Sequence, residues 1–393
     1  MSSTNGSLGR KLRMALVGGG GAAFIGKVHA SAAVRDGRAE LVAGALSSNP
    51  ERAKASASMF GISDERCYES YEQMLATEQA LPADERIDFV SIATPNFLHF
   101  PVAKAALESG FHVLCDKPMT VNSEQAEQLV SLVEETGRVF ALTHNYTGYP
   151  LIRHARQLIQ DGELGTIQAV RVRYMQGWMR TIEFGAEMER GGWKFDAEKN
   201  GRAGTLGDVG THAFNLARYL SGLKPQDLSC TLRQFLPNNP LDDYGHVLVR
   251  AEEGALIAIS VSQVTHGRYN DLEIEIDGTD GALTWRQESP NQLTLRHNAK
   301  PIQIVERHPG ADYINESGVA ACRLPPGHPE GFIEGFANVY RSAYDDMIKV
   351  SAGEKVDLAS AVYPTVRDGA EGIRFLERCL QSNDENGDWV SMD

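Results

Sequence analysis

Cysteine is scarce and unpatterned in this chain. Cys67, Cys115, Cys230, Cys322 and Cys379 make an odd total of five, and no two stand as Cys-x-x-Cys. That excludes a disulfide framework or a zinc ribbon and suits a reducing compartment. Positive charge is also short: 38 Lys and Arg face 52 Asp and Glu, a net charge of −14. Without a basic field the chain is a poor general binder of nucleic acid or of a membrane surface. A single phosphorylated ligand remains compatible, because a helix N-terminus can hold it locally. No apolar run approaches membrane-spanning length, and residues 1–11 lack the apolar core of a secretory signal. No His, Asp or Glu cluster has metal-ligand spacing, so no metal is expected. The expectation is a cytoplasmic protein with a flexible lead-in.

What is present fits an ordinary globular protein. Hydrophobic residues make up 42% and charged residues 23% of 393 positions, a length that predicts two domains. From Leu12 to Thr147 short apolar runs alternate with amphipathic stretches. Strands are predicted at 12–17, 40–46, 87–94, 111–115 and 139–143, and helices at 97–109 and 123–136, the latter opened by an Asn122/Gln125 capping box. Near-continuous apolar strands separated by helices predict a doubly wound parallel α/β sheet. After Tyr149 the pattern becomes α+β. A helix at 150–160 leads to an alternating strand at 166–178, then to a glycine-rich loop stretch (Gly191, Gly192, Gly201, Gly204) and a helix at 208–220. Strands at 228–235, 245–251, 255–264, 271–277 and 282–287 follow, joined by short loops, which predicts an open, mostly antiparallel sheet. Helical periodicity returns at 331–350 and 359–380. The expected domains are 11–147 and 148–380, with flexible tails at 1–10 and 381–393. An uncovered sheet face would expose apolar area, so a homodimer or homotetramer is expected.

Four short segments carry chemistry. Gly18, Gly19, Gly20 and Gly21 follow the first strand, and a helix runs on from about Ala23. Such a turn lets backbone N–H groups approach a dinucleotide pyrophosphate. Gly18 and Gly20 fit the spacing, with the third position taken by Ala23 or by Gly26. At the end of the second strand, where an acid would bind a ribose 2′-hydroxyl, stand Ser47, Ser48 and Asn49, with Arg52 and Lys54 close behind. Hydroxyls and cations favour a 2′-phosphate, hence NADP(H) over NAD(H), although Ser48 or Asn49 also reads as a plain helix cap. Thr94, Pro95, Asn96 and His99 lie at the carboxyl edge of a central strand as candidate cofactor contacts, as do Asp116 and Lys117 before Pro118. A cis bond ahead of that proline would fix the lysine's direction. Asp208 and His212 stand at i and i+4, so a helix places a carboxylate and an imidazole on one face. A dinucleotide turn, an acid/base pair and a cation together suit hydride transfer at an alcohol carbon.

In this order and spacing the segments resemble the Gfo/Idh/MocA family, from about Lys11 to Leu380. Its glycine turn followed by a histidine is similar to Gly18-x-Gly20 with Gly26 and His29. Its Thr-Pro-x-x-x-His element matches Thr94, Pro95 and His99, and its Glu-Lys-Pro element stands here as Asp116-Lys117-Pro118. Its Asp-x-Gly-x-His element matches Asp208, Gly210 and His212, with Asn215 where a further acid often follows. The resemblance implies a Rossmann domain, a second domain with an open antiparallel sheet, oligomers built through that sheet, and NAD(P)-dependent oxidation or reduction of sugars or polyols. Within that expectation His212 moves the carbinol proton and Asp208 orients imidazole or substrate. Lys117 hydrogen-bonds the carbinol oxygen, and its role and that of His212 are interchangeable on sequence alone. Tyr146, Arg180, Trp193 and Lys194 are further substrate-pocket candidates. Two other readings stand beside it, an NAD-dependent glycosidase and a cofactor-sensing regulator without turnover.

Overall fold

The computed structural model describes residues 5–21, 23–182 and 192–393. Gly191, counted above in the glycine-rich loop, lies outside them. Two compact units share the chain: Met1–Asn145 with Phe336–Ala370, and Tyr146–Gly335 with Glu371–Asp393. The expected border near residue 147 is therefore one of three crossings, because a later segment returns to the first unit.

The first unit runs β1 (Leu12–Gly18), α1 (Phe24–Val34), β2 (Ala39–Ala45), α2 (Pro50–Phe60), α3 (Tyr71–Ala80), β3 (Phe89–Ala93), α4 (His99–Glu108), β4 (His112–Cys115), α5 (Ser123–Thr136) and β5 (Phe140–Leu142). Its strands pair in parallel in the order β2-β1-β3-β4-β5. Every residue of β3, β4 and β5 is buried, which is why these strands read as unbroken apolar runs. Side chains cap three helices, α3 through Ser70 Oγ, which accepts from Gln73 N (3.2 Å). Asn49 Oδ1 accepts from Arg52 N (2.9 Å) with Pro50 in the first turn, and Asn122 Oδ1 accepts from Gln125 N (2.9 Å). The capping box expected at Asn122 is half-formed, since Gln125 Oε1 is buried without a partner. The order of strands reverses between β1 and β3, and the crevice at such a point is where open parallel sheets bind ligands.

The second unit contains α6 (Pro150–Gln160), β6 (Ile167–Met175), α7 (Ala197–Asn200), α8 (Thr211–Ser221), β7 (Pro225–Arg233), β8 (Tyr244–Ala251), β9 (Leu256–Ser262), β10 (Asp271–Gly278), β11 (Ala282–Arg286), β12 (Gln292–Arg296), β13 (Gln303–Glu306) and α9 (Glu316–Ala321). Then come α10 (Phe332–Ser351) and α11 (Val366–Asp384), each of which crosses between units, and β14 (Val390–Ser391). The sheet order is β13-β12-β11-β10-β6-β9-β8-β7-β14. Among the described strands of this sheet β6 and β9 pair in parallel, whereas the other neighbours are antiparallel.

Several expectations need correcting. The tails are built into the fold over their described parts. Asn5 is buried and donates to the carbonyls of Arg10 (2.9 Å) and Arg38 (2.8 Å), while β14 pairs with β7 and Ser382 Oγ accepts from Cys230 N (2.8 Å). The helix expected from residue 359 starts at Val366, because Pro364 disfavours helix before it and 358–360 form a separate 3₁₀ turn capped by Asp357. The open sheet face is charged over β6, β10 and β11 rather than broadly apolar. Strand alternation turns Arg171 to Glu275 (2.6 Å) and Asp277 (2.5 Å), and Arg173 and Arg286 to Glu273 (3.2 and 2.8 Å). Exposed apolar side chains on this sheet include Leu248, Leu256 and Ile304. No described helix is long and apolar enough to cross a membrane.

Candidate active site

In the first unit, the glycine turn is shaped by contacts that a side chain would break. Gly18, Gly19 and Gly21 have φ of 78°, 69° and 69°, in the left-handed region. A Cβ on Gly19 would come 2.6 Å from the Cα of Gly26, and one on Gly26 would run into the backbone of Gly19. Gly26, in the first turn of α1, is thus the glycine that lets helix and turn touch, while Ala23 is the residue before the helix. Gly20 N donates to Leu46 O (3.2 Å) and Gly21 N to Ser56 Oγ (2.8 Å), so these two amides hold the turn itself. The N–H groups of the first helical turn have no acceptor within the helix. Just after β3, Thr94 Oγ1 is buried without a partner. Glycines where a Cβ would fill the cradle, together with an orphaned hydroxyl beside them, fit a bound dinucleotide. Gly26→Ala is expected to weaken NAD⁺ binding by about tenfold or more, since overpacking of this kind costs about 1–3 kcal/mol. Calorimetric titration of NAD⁺ checks this, and unchanged affinity would show that the contact is dispensable.

At the end of β2, Ser47 Oγ accepts from Asn49 N (3.2 Å), and Asn49 serves as the cap of α2. Ser48, Arg52 and Lys54 are exposed, with the Arg52 stem alongside Gly21. Pro95 and buried Asn96 open the 3₁₀ turn before α4. His99 is buried, with Nδ1 2.7 Å from Pro118 O and Nε2 3.0 Å from Thr94 O. Both ring nitrogens face carbonyls, so the ring braces the two loops that carry Thr94 and Pro118.

Asp116 and Lys117 follow β4 directly, and the Lys117–Pro118 bond is cis. Asp116 Oδ1 accepts from Lys117 N (2.8 Å) and Thr143 Oγ1 (3.2 Å), tying the lysine's backbone to the ends of β4 and β5. Behind the aspartate lies a buried polar group. The Tyr340 hydroxyl is 2.6 Å from His29 Nδ1 and 2.7 Å from Ser91 Oγ, and His29 Nε2 stands 4.0 Å from Asp116 Oδ2. Burial pushes the His29 imidazole down to about 4, against the pull of Asp116. His144, at the end of β5, is pushed down to about 3 by burial and by the nearby Lys117 charge.

In the second unit, residues 206–210 form one π turn leading into α8. The regular helix expected across Asp208 and His212 is therefore widened at its start; such turns recur at functional sites. Buried Asp242 shapes the approach, its carboxylate accepting from Gly204 N (2.5 Å) and Leu206 N (2.7 Å). Burial pushes that carboxyl up to about 6. The Asp208 carboxylate accepts from Gln263 Nε2 (2.9 Å) and pairs with Lys194 Nζ (3.5 Å). His212 is buried, its ring edge-on to Tyr146 (centroids 5.0 Å) and tilted against Tyr174 (6.3 Å). Those two hydroxyls are 2.5 Å apart, and Asn270 bonds both. Burial raises the Tyr146 phenol to about 12 and drives that of Tyr174 upward. Arg180 Nε donates to Val264 O (2.8 Å), and Trp193 is half-buried on the short turn that carries Lys194. Buried Asn215 lies one turn beyond His212 on α8.

Sequence reasoning missed Gln176, Gln263, Asn270, Tyr174 and Trp178 around Asp208 and His212, and Ser91, His144 and Tyr340 around Asp116. Gln176 and Gln263 fall inside the strands expected at 166–178 and 255–264, whereas β6 and β9 end one residue before them; Asn270 stands just ahead of β10. Tyr340 carried no signal that set it apart. Among the described residues no group of three or more His, Cys, Asp or Glu is placed to hold a metal ion.

Comparison with known proteins places this geometry. Residues 12–144 match the model of an oxidoreductase family with an NAD-binding Rossmann fold, and residues 152–284 match the GFO/IDH/MocA C-terminal domain. The chain is 33% identical to the uncharacterized oxidoreductase YfiI of Bacillus subtilis, covering 98% of this chain and 97% of that one. It is 27% identical to levoglucosan dehydrogenase of Pseudarthrobacter phenanthrenivorans over 82% of each chain. An inositol dehydrogenase homologue from Azotobacter vinelandii, solved with NAD⁺, superposes with a TM-score of 0.93 at 35% identity over 100% of both chains. The same homologue was also solved with NADH and myo-inositol, with a TM-score of 0.91. With both halves matched and the likeness running end to end, this chain belongs to the GFO/IDH/MocA family of NAD-binding oxidoreductases.

Proposed function

We propose that the protein oxidises a secondary carbinol of a cyclic polyol or sugar, or reduces the matching ketone. The observation that carries this reading is the setting of Asp208 and His212. An imidazole is seated on two aromatic rings, four residues on along the same turn-and-helix segment from a carboxylate already held by an amide and an ammonium. Imidazole exchanges a proton near neutral pH, as removal of the carbinol proton requires. The Tyr146 and Tyr174 phenols, raised by burial, are poor bases beside it. Asp208 orients the imidazole or a substrate hydroxyl, and Lys194, Arg180, Trp193 and Tyr146 line the substrate side. Lys117 donates to the carbinol oxygen and stabilises its developing negative charge. Gly18, Gly20, Gly21, Gly26, Thr94, Pro95, Asn96 and Asp116 hold the dinucleotide, with Ser47, Ser48 and Arg52 at its ribose. When bound, the nicotinamide accepts the hydride from the carbinol carbon.

The nature of the substrate draws support from the relatives, one solved with myo-inositol and another named for levoglucosan. An absorbance screen at 340 nm over inositols, sugars and anhydrosugars with both cofactors tests the reading. Net NADH or NADPH formation supports it; release of free sugar without net reduction would favour a glycosidase, and no turnover a sensor. The second strand's end makes a separate demand. With Ser47, Ser48, Arg52 and Lys54 where an acid would select NAD(H), NADP(H) is expected to bind at least as tightly as NAD(H). Calorimetric titration of both decides it, and a clear preference for NAD(H) would overturn that expectation.

A further inference from the structure

We propose that Gln263 is a positioning residue that aims the Asp208 carboxylate, through a row of three side-chain amides laid across adjacent strands. The proposal rests on the reading of Asp208 and His212 as the substrate-side machinery.

Sheet register creates the row. Met175 pairs with Ser262 in the parallel β6–β9 ladder and with Asp271 in the antiparallel β6–β10 ladder. One step beyond, Gln176, Gln263 and Asn270 stand side by side at the carboxyl ends of β6 and β9 and the start of β10. Gln263 Nε2 donates to Asp208 Oδ2 (2.9 Å) and to Gln176 Oε1 (3.0 Å). Gln176 Nε2 donates to Asn270 Oδ1 (2.8 Å), and Asn270 Nδ2 donates to the Tyr146 hydroxyl (3.1 Å).

The direction of every bond follows from groups with only one choice. The Trp178 indole can only donate, and its Nε1 lies 3.0 Å from Gln176 Oε1. That turns the Gln176 amide so that its NH₂ faces Asn270. The Asp208 carboxylate accepts, so Gln263 presents its NH₂ there, and its Oε1 accepts from Thr205 Oγ1 (3.0 Å). Asn270 Oδ1 then takes the Tyr174 proton (2.6 Å), which leaves the Tyr146 proton to bridge to the Tyr174 oxygen. The Tyr146 hydroxyl hydrogen is therefore committed to Tyr174. Both N–H groups of Gln263 are committed too, one of them to Asp208.

Two variants of similar size test the role. Gln263→Met keeps the volume and removes the bonds. Gln263→Glu keeps the shape but lacks the donor while ionised, and regains one as a protonated carboxyl, since two adjacent carboxyls share a proton. The charged and titratable groups about this pair include Lys194 from the 3₁₀ turn, Tyr146 and Tyr174 from the aromatic seat, and His212 from α8. Arg180 on the Val264 carbonyl joins them, as do Asp242 and Asp243, whose backbone carbonyls accept from Thr205 N and Gln263 N. Asp242, pushed up to about 6, titrates in both proteins, so the ratio to wild type removes its contribution. With NAD⁺ and a substrate found in the screen, myo-inositol first, kcat of Gln263→Met is expected to fall about 10- to 100-fold. KM and calorimetric NAD⁺ affinity should change little. For Gln263→Glu the kcat ratio to wild type is expected to recover as pH falls, by up to about tenfold per unit. A purely structural role would lower Tm while leaving that ratio flat with pH. Crystal structures of both variants read the positioning without turnover: the Asp208 carboxylate should leave its present position. If it stays in place in both, or if the ratio is flat and kcat is preserved, the proposal is wrong. If wild type turns over nothing in the screen, the functional reading fails, and the crystal structures still decide the positioning.

Discussion

His212→Asn is expected to leave a folded protein that binds NAD⁺ normally and turns over about 10²–10⁴-fold more slowly, the span general acid–base catalysis contributes. Asparagine keeps a polar side chain of similar reach against Tyr146 and Tyr174 but cannot carry a proton. The nearest hydroxyls offer no substitute, because those of Tyr146 and Tyr174 bond each other and Asn270. The loss should therefore fall on kcat, with KM nearly unchanged, and steady-state kinetics beside a calorimetric NAD⁺ titration separates the two. Near-normal turnover in a folded, NAD⁺-binding variant would remove His212 from the chemistry.

Lys117→Met should cost about 10²–10³-fold in kcat, the usual loss when a preorganised donor to a developing oxyanion is removed. Methionine matches the length of the stem and leaves the backbone N–H that Asp116 holds. A second reading needs no substrate. The Lys117 charge helps keep His144 neutral, second to burial, so its removal should let the His144 imidazole titrate at higher pH. NMR titration of the histidines follows that shift directly. A rise in the His144 pKa with kcat unchanged would place Lys117 beside the site without a role in the reaction.

Much of this was legible in the sequence because period and punctuation are local. The apolar runs of β1, β3 and β4, the matched ends of α5 and α6, and the Asn49-Pro50 start of α2 lie where patterning puts them. Candidate residues could be read where chemistry is concentrated in a few adjacent positions, as at Asp116-Lys117 and Asp208–His212. What escaped depends on neighbours distant in sequence. Gly26 rather than Ala23 touches the turn because of how α1 lies on Gly19, which spacing alone left open. The π turn at 206–210 comes with a carboxylate some 36 residues away, at Asp242, that holds Gly204 and Leu206. His99, a motif residue, is a brace because Pro118 O lies across from it. The charged sheet face is written in plain alternation at Arg171 and Arg173, which pair across to Glu275 and Glu273; an open face need not be an apolar one.

The first unit is finished by residues that the ribosome makes late. Phe336 and Tyr340 pack on His29, and Tyr344 packs on Phe89 (ring centroids 5.2, 5.9 and 5.5 Å). Roughly 190 residues separate Asn145 from Phe336. At about 5–20 residues per second, that interval lasts on the order of 10–40 s. Throughout it the nascent nucleotide-binding sheet lacks the aromatic side of its core and the hydroxyl partner of His29. Order of synthesis and order of completion are thus uncoupled: the earlier segment has its native interior closed only after the intervening residues 146–335 have been made.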